Sequence, residues 1–155
     1  MSVPTYKRSE NKLDVSLKAK KILITVIALI KYDDILRKSE NSFIRDSLFK
    51  SAIQLLTHIS VANSMSLKAN NSEFVLERLK NQLLAREDMY SMIILSEAMV
   101  DMNDVSDTDK IENLLVLLDE FKTLFYAWTK HTREFLKNKH VDVFTKEQSE
   151  HPSVE

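Results

Sequence analysis

The chain contains no glycine among its 155 residues, and this absence limits both its fold and its chemistry. Glycine usage of about 7% is typical, so roughly eleven glycines would be expected at this length. Phosphate-binding P-loops, dinucleotide-binding fingerprints, kinase glycine loops, EF-hands and nucleophile elbows all require glycine, so the sequence excludes them. The chain also lacks cysteine, which excludes disulfides, thiolate catalysis and zinc–thiolate clusters.

Four periodic apolar segments, separated by short polar breaks, predict an all-α fold. Because breaks of about two to five residues join antiparallel neighbours, we expect an up-down-up-down four-helix bundle. Each break contains asparagine, which we expect to adopt the left-handed conformation that ends a helix when glycine is absent. The breaks lie at 39–42, 70–72 and 103–106, and their predicted N-caps are Ser42, Ser72 and Ser106.

The predicted bundle covers residues 16–138, between a polar N-terminal segment at 1–15 and a polar C-terminal tail at 139–155. Its first helix is predicted over residues 16–38. Apolar residues spaced alternately by three and four predict the buried faces of the other three helices. These faces are Leu48, Ala52, Leu55, Ile59 and Ala62; Leu76, Leu79, Leu83, Arg86, Tyr90 and Ile93; and Ile111, Leu114, Leu118, Phe121, Phe125 and Trp128. Met89, Met92, Met99 and Met102 are expected to fill gaps, and a buried Trp128 indole is expected to find an acceptor.

The first segment contains an apolar run at residues 22–30, six of whose nine residues are β-branched. The run is too short to cross a membrane, which takes about twenty residues. It could be a strand, but no other segment offers a partner strand, so we interpret it as a helix. A helix that is apolar nearly all round needs cover on several sides, so we expect part of it to face another subunit. Ile24, Ile27 and Arg86 are the predicted oligomer interface, with Arg86 reaching a carboxylate, a carbonyl or solvent at the subunit boundary.

The net charge is −1, but basic and acidic residues are unevenly distributed along the chain. In the predicted topology the start of the first helix and the end of the fourth lie at one pole. That pole gathers Lys18, Lys20, Lys21, Lys130, Arg133, Lys137 and Lys139, and the opposite pole gathers Glu97, Asp101, Asp104, Asp107, Asp109 and Glu112. One explanation is compensation of the helix macrodipoles. The alternative is that the basic pole, through Lys18, Lys20, Lys21, Lys130, Arg133 and Lys137, binds a phosphate backbone or an acidic partner.

No catalytic or metal-binding motif is present, so the sequence predicts a non-enzymatic protein without cofactor or metal. The four histidines lack the Glu-x-x-His and His-Glu-x-x-His spacings of bundle metal sites. His58 and His131 are expected to be surface or partly buried structural residues. Neighbouring carboxylates such as Glu87 and Asp88 point about 100° apart on a helix and do not converge. The polar N-terminus is not a secretory signal, so we expect a cytoplasmic protein with no membrane partner. An enzyme with an unrecognised site in the bundle core remains an alternative.

Three segments carry a family resemblance: LFKSAIQLLTHISVANS at 48–64, LERLKNQLLAREDMYSM at 76–92 and LLVLLDEFKTLFYAWTK at 114–130. They resemble the accessory variability determinant proteins of bacterial and phage diversity-generating retroelements. Those proteins are similar to the four-helix bundles encoded by 23S ribosomal RNA intervening sequences. The matching features are the step Ala62-Asn63, the leucine-rich stretch from Leu79 to Arg86, and Trp128.

The resemblance implies a ring-shaped homopentamer without catalytic activity that binds a reverse transcriptase, template RNA or both. The alternative is a protein-binding four-helix bundle with no nucleic-acid role, which recognises a partner helix through its apolar first segment.

Overall fold

The chain folds as an all-α four-helix bundle, which confirms the predicted fold class. The computed structural model describes the backbone of residues 5–67, 71–104 and 107–150, and the side chains of 14–67, 71–104 and 107–138. Over these residues it has four α-helices and no strand: α1 (Thr5–Tyr32), α2 (Ser42–Ser64), α3 (Ser72–Asp101) and α4 (Asp109–Glu150). Each helix packs against its neighbours in sequence, and α1 also packs against α4.

Hydrogen bonds between the helices set their antiparallel register. Asn63, in the last turn of α2, donates to Ser16 of α1 at 2.9 Å. Arg78, early in α3, donates to Thr132, late in α4, at 3.0 Å. The start of the α1 core, the end of α2, the start of α3 and the late part of α4 therefore lie at one pole of the bundle.

Three predicted helix boundaries differ from the structure. Helix α1 begins at Thr5 and ends at Tyr32, whereas the prediction ran from residue 16 to residue 38. Helix α4 continues to Glu150, twelve residues beyond the predicted end of the bundle at 138. Residues 5–15 and 139–150 are thus helical, while 1–4 and 151–155 lie outside the described residues.

Helix α1 ends early because Asp33 offers the chain an alternative to the helical hydrogen bonds. Its Oδ1 accepts from the backbone N–H groups of Ile35 and Leu36, both at 3.0 Å. This pattern is typical of aspartate in turns, where the side chain competes with the helix for backbone donors. The turn is anchored in the core because Ile35 and Leu36 are buried.

The core confirms the predicted faces of the second and fourth helices. All eleven residues predicted for these two faces are buried, from Leu48 to Ala62 and from Ile111 to Trp128. Helix α1 adds its own buried stripe at alternating spacings of three and four: Val15, Ala19, Ile22, Val26 and Leu29. The β-branched run is therefore helical, as predicted, and the helix buries one side of it in the core, against α2 and α4.

The predicted buried face of α3 is wrong at Leu76, Leu83 and Arg86, whereas Tyr90 and Ile93 are partly buried against the core. Leu76 and Leu83 are 59% and 51% exposed, and Arg86 is also exposed. The stripe that enters the core lies about one residue away around the helix: Val75, Arg78, Gln82, Ala85, Met89, Met92, Ser96 and Met99. Three of the four methionines are fully buried, as expected for gap-fillers, whereas Met102 is exposed. The leucine pattern failed because the true stripe carries an arginine and a glutamine.

Asn41 and Asn71 act through their side chains and not through left-handed backbone; Asn41 donates to the carbonyl of Ile35 at 2.8 Å. Asn41 has φ −100° and Asn71 has φ −108°, so the predicted left-handed conformation is wrong for both. They are also the N-caps of α2 and α3, one residue before the predicted Ser42 and Ser72. Asn71 accepts from the N–H of Glu73 at 3.0 Å. The predicted N-cap Ser106 lies outside the described residues.

A buried arginine of α3, Arg78, binds the end of α2, where many helices instead have a glycine. Arg78 is only 4% exposed, and its Nη1 donates to the carbonyls of Ala62 and Met65, both at 3.2 Å. These carbonyls lie at the C-terminal end of α2, where a positive charge is favourable, and that of Ala62 also accepts from the Met65 N–H. The guanidinium lies 5.4 Å from the ring centroid of Trp128. The Trp128 indole is buried, but its N–H has no acceptor among the described residues, contrary to expectation.

Candidate nucleic-acid interface

Helix α4 presents a stripe of basic residues toward α3 and solvent. Lys130, Arg133 and Lys137 of the predicted basic pole are all exposed on this helix. Lys122 and Tyr126 lie on the same side, because all five positions fall within an arc of about 80° at 3.6 residues per turn. We call these five residues the basic stripe. It extends for about 22 Å along the helix.

A pair of tyrosines joins the basic stripe to α3. The hydroxyl of Tyr126 is hydrogen-bonded to the hydroxyl of Tyr90, and both side chains are half-buried. The Arg86 guanidinium carbon lies 5.7 Å from the ring centroid of Tyr90, and Lys122 Nζ lies 5.5 Å from the same centroid. Two cations therefore lie against one aromatic ring, which attracts them through its negative face.

The same cations act on the tyrosine hydroxyls. The hydrogen bond from Tyr126 lowers the pKa of Tyr90, and the charges of Lys122 and Arg86 act in the same direction. The pKa of Tyr126 is raised, chiefly by its hydrogen bond to Tyr90. A group whose charged form is favoured by neighbouring cations indicates a local positive potential. The tyrosine pair thus lies in a region suited to a negatively charged ligand.

The three predicted basic residues of α1 do not join the basic stripe. Lys18 donates to Glu120 at 2.7 Å, and Glu120 lies on the flank of α4 that faces α1. This hydrogen bond lowers the pKa of Glu120, and the charge of Lys21 acts in the same direction. Lys20 is exposed on the outer side of α1. The single predicted basic pole is therefore divided between two flanks of α4, and only Lys130, Arg133 and Lys137 lie together.

The sequence contained a signal for the missed members of this site. Arg86 and Tyr90 are four residues apart, and so are Lys122 and Tyr126. Residues at this spacing are neighbours on a helix surface. The prediction places Arg86 on the buried face of α3 and in the oligomer interface, with a carboxylate, a carbonyl or solvent as its partner; the structure places it in solvent against Tyr90. Which helix faces meet across α3 and α4 is tertiary information, so the sequence could not bring the two pairs together.

A second surface, on the opposite side of the bundle, is apolar. Ile24 is 66% exposed and Ile27 is half-buried, as expected if the chain alone cannot cover α1. The Ser16–Asn63 hydrogen bond brings Leu23 level with Leu56 of α2. We call the combined surface the α1/α2 apolar face; it comprises Leu23, Ile24, Ile27, Phe49, Ile53 and Leu56. Phe49 and Ile53 are both 40% exposed.

His58 and Asp88 join α2 to α3 through a partly buried contact. His58 Nδ1 lies 2.7 Å from Asp88 Oδ2, so this histidine has the structural role expected of it. Burial raises the pKa of Asp88, although the hydrogen bond and charge of His58 oppose the shift. Across the side chains described, no group of three or more histidine, aspartate or glutamate residues is arranged to hold a metal ion. No helix in the described part of the chain is long and apolar enough to cross a membrane.

Comparisons of the chain with protein-family models, curated proteins and solved structures find no significant match. The resemblance to retroelement accessory proteins therefore stays a prediction. The structure supports the four-helix fold that the resemblance implies, and function must be argued from the two surfaces described above.

Proposed function

We propose that this protein is a non-enzymatic accessory protein that binds RNA through the basic stripe of α4. It self-associates through the α1/α2 apolar face. The resemblance suggests a diversity-generating retroelement as its setting, with a reverse transcriptase as protein partner and a pentamer as the assembly. A reverse transcriptase gene beside the gene for this protein would support that setting.

The observation that carries the RNA proposal is the alignment of positive charges on the basic stripe. Among the described residues, Glu134 is the only carboxylate paired with the stripe, and it lies 3.9 Å from Lys130. Both side chains are mostly exposed, so this pair is weak and leaves Lys130 available. A phosphate backbone neutralises such a row of charges and releases bound counterions, which drives binding. The net charge of −1 does not oppose this, since the acidic residues concentrate at the other pole.

Salt dependence of RNA binding tests the role of the stripe. Each of Lys130→Gln, Arg133→Gln and Lys137→Gln should weaken binding of a fluorescent oligoribonucleotide and reduce the log–log salt slope by about 1. The matched control is Lys110→Gln, since Lys110 is exposed on the same helix at the acidic pole. Equal effects of Lys110 and the stripe residues, or a slope near zero for the unaltered protein, would contradict the proposal.

Light scattering with matched variants tests self-association. Ile24→Asp should convert the assembly to monomers, because a charge would be buried within the α1/α2 apolar face. Ile94→Asp is the control, since Ile94 is 62% exposed on α3, away from this face. A monomeric unaltered protein at micromolar concentration, or dissociation by both variants alike, would contradict assembly through this face.

The α1/α2 apolar face also supports a second candidate, a protein-binding module with no nucleic-acid role. Such a module would take the apolar side of a partner helix on this face. Under this alternative Ile24→Asp abolishes capture of the partner protein, and the basic-stripe variants change nothing. Loss of capture in the stripe variants, with RNA present, would favour the RNA-binding proposal instead.

A further inference from the structure

We propose that Arg86, Tyr90, Lys122 and Tyr126 form a binding site for a single phosphate group. This inference rests on the proposed RNA-binding function and adds to it a fixed anchoring point at one end of the basic stripe. The four residues are named the tyrosine-pair site below.

The positive charges of the site have no carboxylate within ion-pairing distance among the described residues. Within the described part of the chain the ion pairs are Lys18 with Glu120, His58 with Asp88, and Lys130 with Glu134. None of them includes Arg86 or Lys122, although both lie within 6 Å of the Tyr90 ring. Because both cations lie near the same ring without an ion-paired carboxylate, an anion bound beside the tyrosine pair would be stabilised.

The site offers several hydrogen-bond donors to a phosphate. In a hydrogen bond between two hydroxyls, one tyrosine donates its O–H to the other. The accepting tyrosine still has an O–H that it can donate to a ligand. The guanidinium of Arg86 and the ammonium of Lys122 supply further donors from opposite helices. Charge-assisted bonds from such groups to phosphate oxygens are short and strong. A tetrahedral phosphate can accept from several directions at once, which suits donors that come from both α3 and α4.

The packing of the two helices holds the two tyrosines of the site in place. Tyr90 packs against the hydrophobic core, and Tyr126 lies 5.9 Å from Phe125 between ring centroids. Arg86 and Lys122 are each one turn from the tyrosine on their own helix. Because these side chains are restrained before a ligand arrives, little conformational entropy is lost on binding. Lys130 and Lys137, farther along the stripe, are exposed and lie against no aromatic ring among the described residues.

Tyrosine-labelled NMR tests the site directly with inorganic phosphate as the probe. The chain has four tyrosines, and Tyr32, exposed at the end of α1, serves as an internal control. Phosphate should shift the ring signals of Tyr90 and Tyr126 and leave Tyr32 unchanged, while acetate at equal ionic strength should have little effect. Arg86→Gln, at an exposed position, and Tyr90→Phe, which keeps the ring, should each weaken phosphate binding about tenfold.

RNA provides the second arm, with oligoribonucleotides that carry either a 5′-phosphate or a 5′-hydroxyl. A preference for the 5′-phosphate that Arg86→Gln removes would assign the site to a terminal phosphate. Equal binding that is weakened equally by Arg86→Gln would assign it to a backbone phosphate. Either result, with the shifts above, supports the site.

Three results would overturn it: no shift of Tyr90 or Tyr126 with phosphate or RNA, equal shifts with acetate, or unchanged binding in Arg86→Gln. If RNA still binds through Lys130, Arg133 and Lys137 in that case, the proposed function survives without this site. If phosphate binds but RNA does not, the site survives and the RNA-binding function fails.

Discussion

Replacing Met89 and Leu83 with alanine distinguishes the observed core stripe of α3 from the one that the leucine pattern suggests. Met89 is fully buried, whereas Leu83 is 51% exposed. A buried methionine truncated to alanine leaves a cavity and costs about 2–5 kcal/mol. A fully buried leucine contributes about 1.5–3 kcal/mol, so a half-exposed one should lose about 1 kcal/mol and leave no cavity.

Urea unfolding followed by circular dichroism at 222 nm measures both variants. Alanine raises helix propensity by similarly small amounts at both positions, so this effect largely cancels in the comparison. For a chain of this size each 1 kcal/mol corresponds to about 2–4 °C in Tm, which provides a second readout. A loss for Leu83→Ala equal to or greater than that for Met89→Ala would refute the assignment of the α3 core.

Three further predictions concern helix ends and buried charge. Arg78→Met should lower the free energy of unfolding by about 1–3 kcal/mol, because the carbonyls of Ala62 and Met65 lose the Arg78 donor. An unchanged urea midpoint would contradict the capping role. Burial raises the pKa of Asp88 above its ordinary value. The folded state therefore keeps that proton to higher pH than the unfolded state does, so stability falls as pH rises from about 3.8 through the folded pKa. Asp88→Asn should remove this fall while keeping a contact with His58, and identical pH profiles of urea unfolding for both proteins would exclude the effect. Asn71→Ala should cost about 1 kcal/mol of stability as a lost N-cap, whereas Ser72→Ala should cost little; the reverse order in thermal unfolding would show that the serine is the cap.

Much of the fold could be predicted from the sequence because the apolar periodicity of α2 and α4 is strong. The α3 core could not, because Arg78 and Gln82 enter the bundle only through a partner on another helix. Both donate to Thr132 of α4, at 3.0 Å each, and no pattern of residues along the sequence predicts that contact. Local hydrophobicity then favours the leucines of the neighbouring stripe, which remain half-exposed.

The candidate site was only partly predictable for a related reason. The basic residues of α4 were identified correctly as an exposed group, but net charge along the sequence does not say which flank of a helix a residue occupies. Lys18 was grouped with them, although it faces Glu120 on the other flank. The tyrosine pair was missed because its two halves lie 36 residues apart and meet only in the folded bundle.

The absence of glycine has a consequence for how this bundle loses its structure. The end of α2 is closed by an arginine from α3, and the carbonyl of Leu36 in the first turn accepts from Arg45 of α2 at 2.8 Å. The end of α2 thus depends in part on a side chain from α3, whereas a glycine would end a helix by its own backbone. A synthetic peptide of α2 alone should therefore fray at its C-terminal turn, and in the whole chain that turn should melt together with the packing of α3, as one cooperative unit.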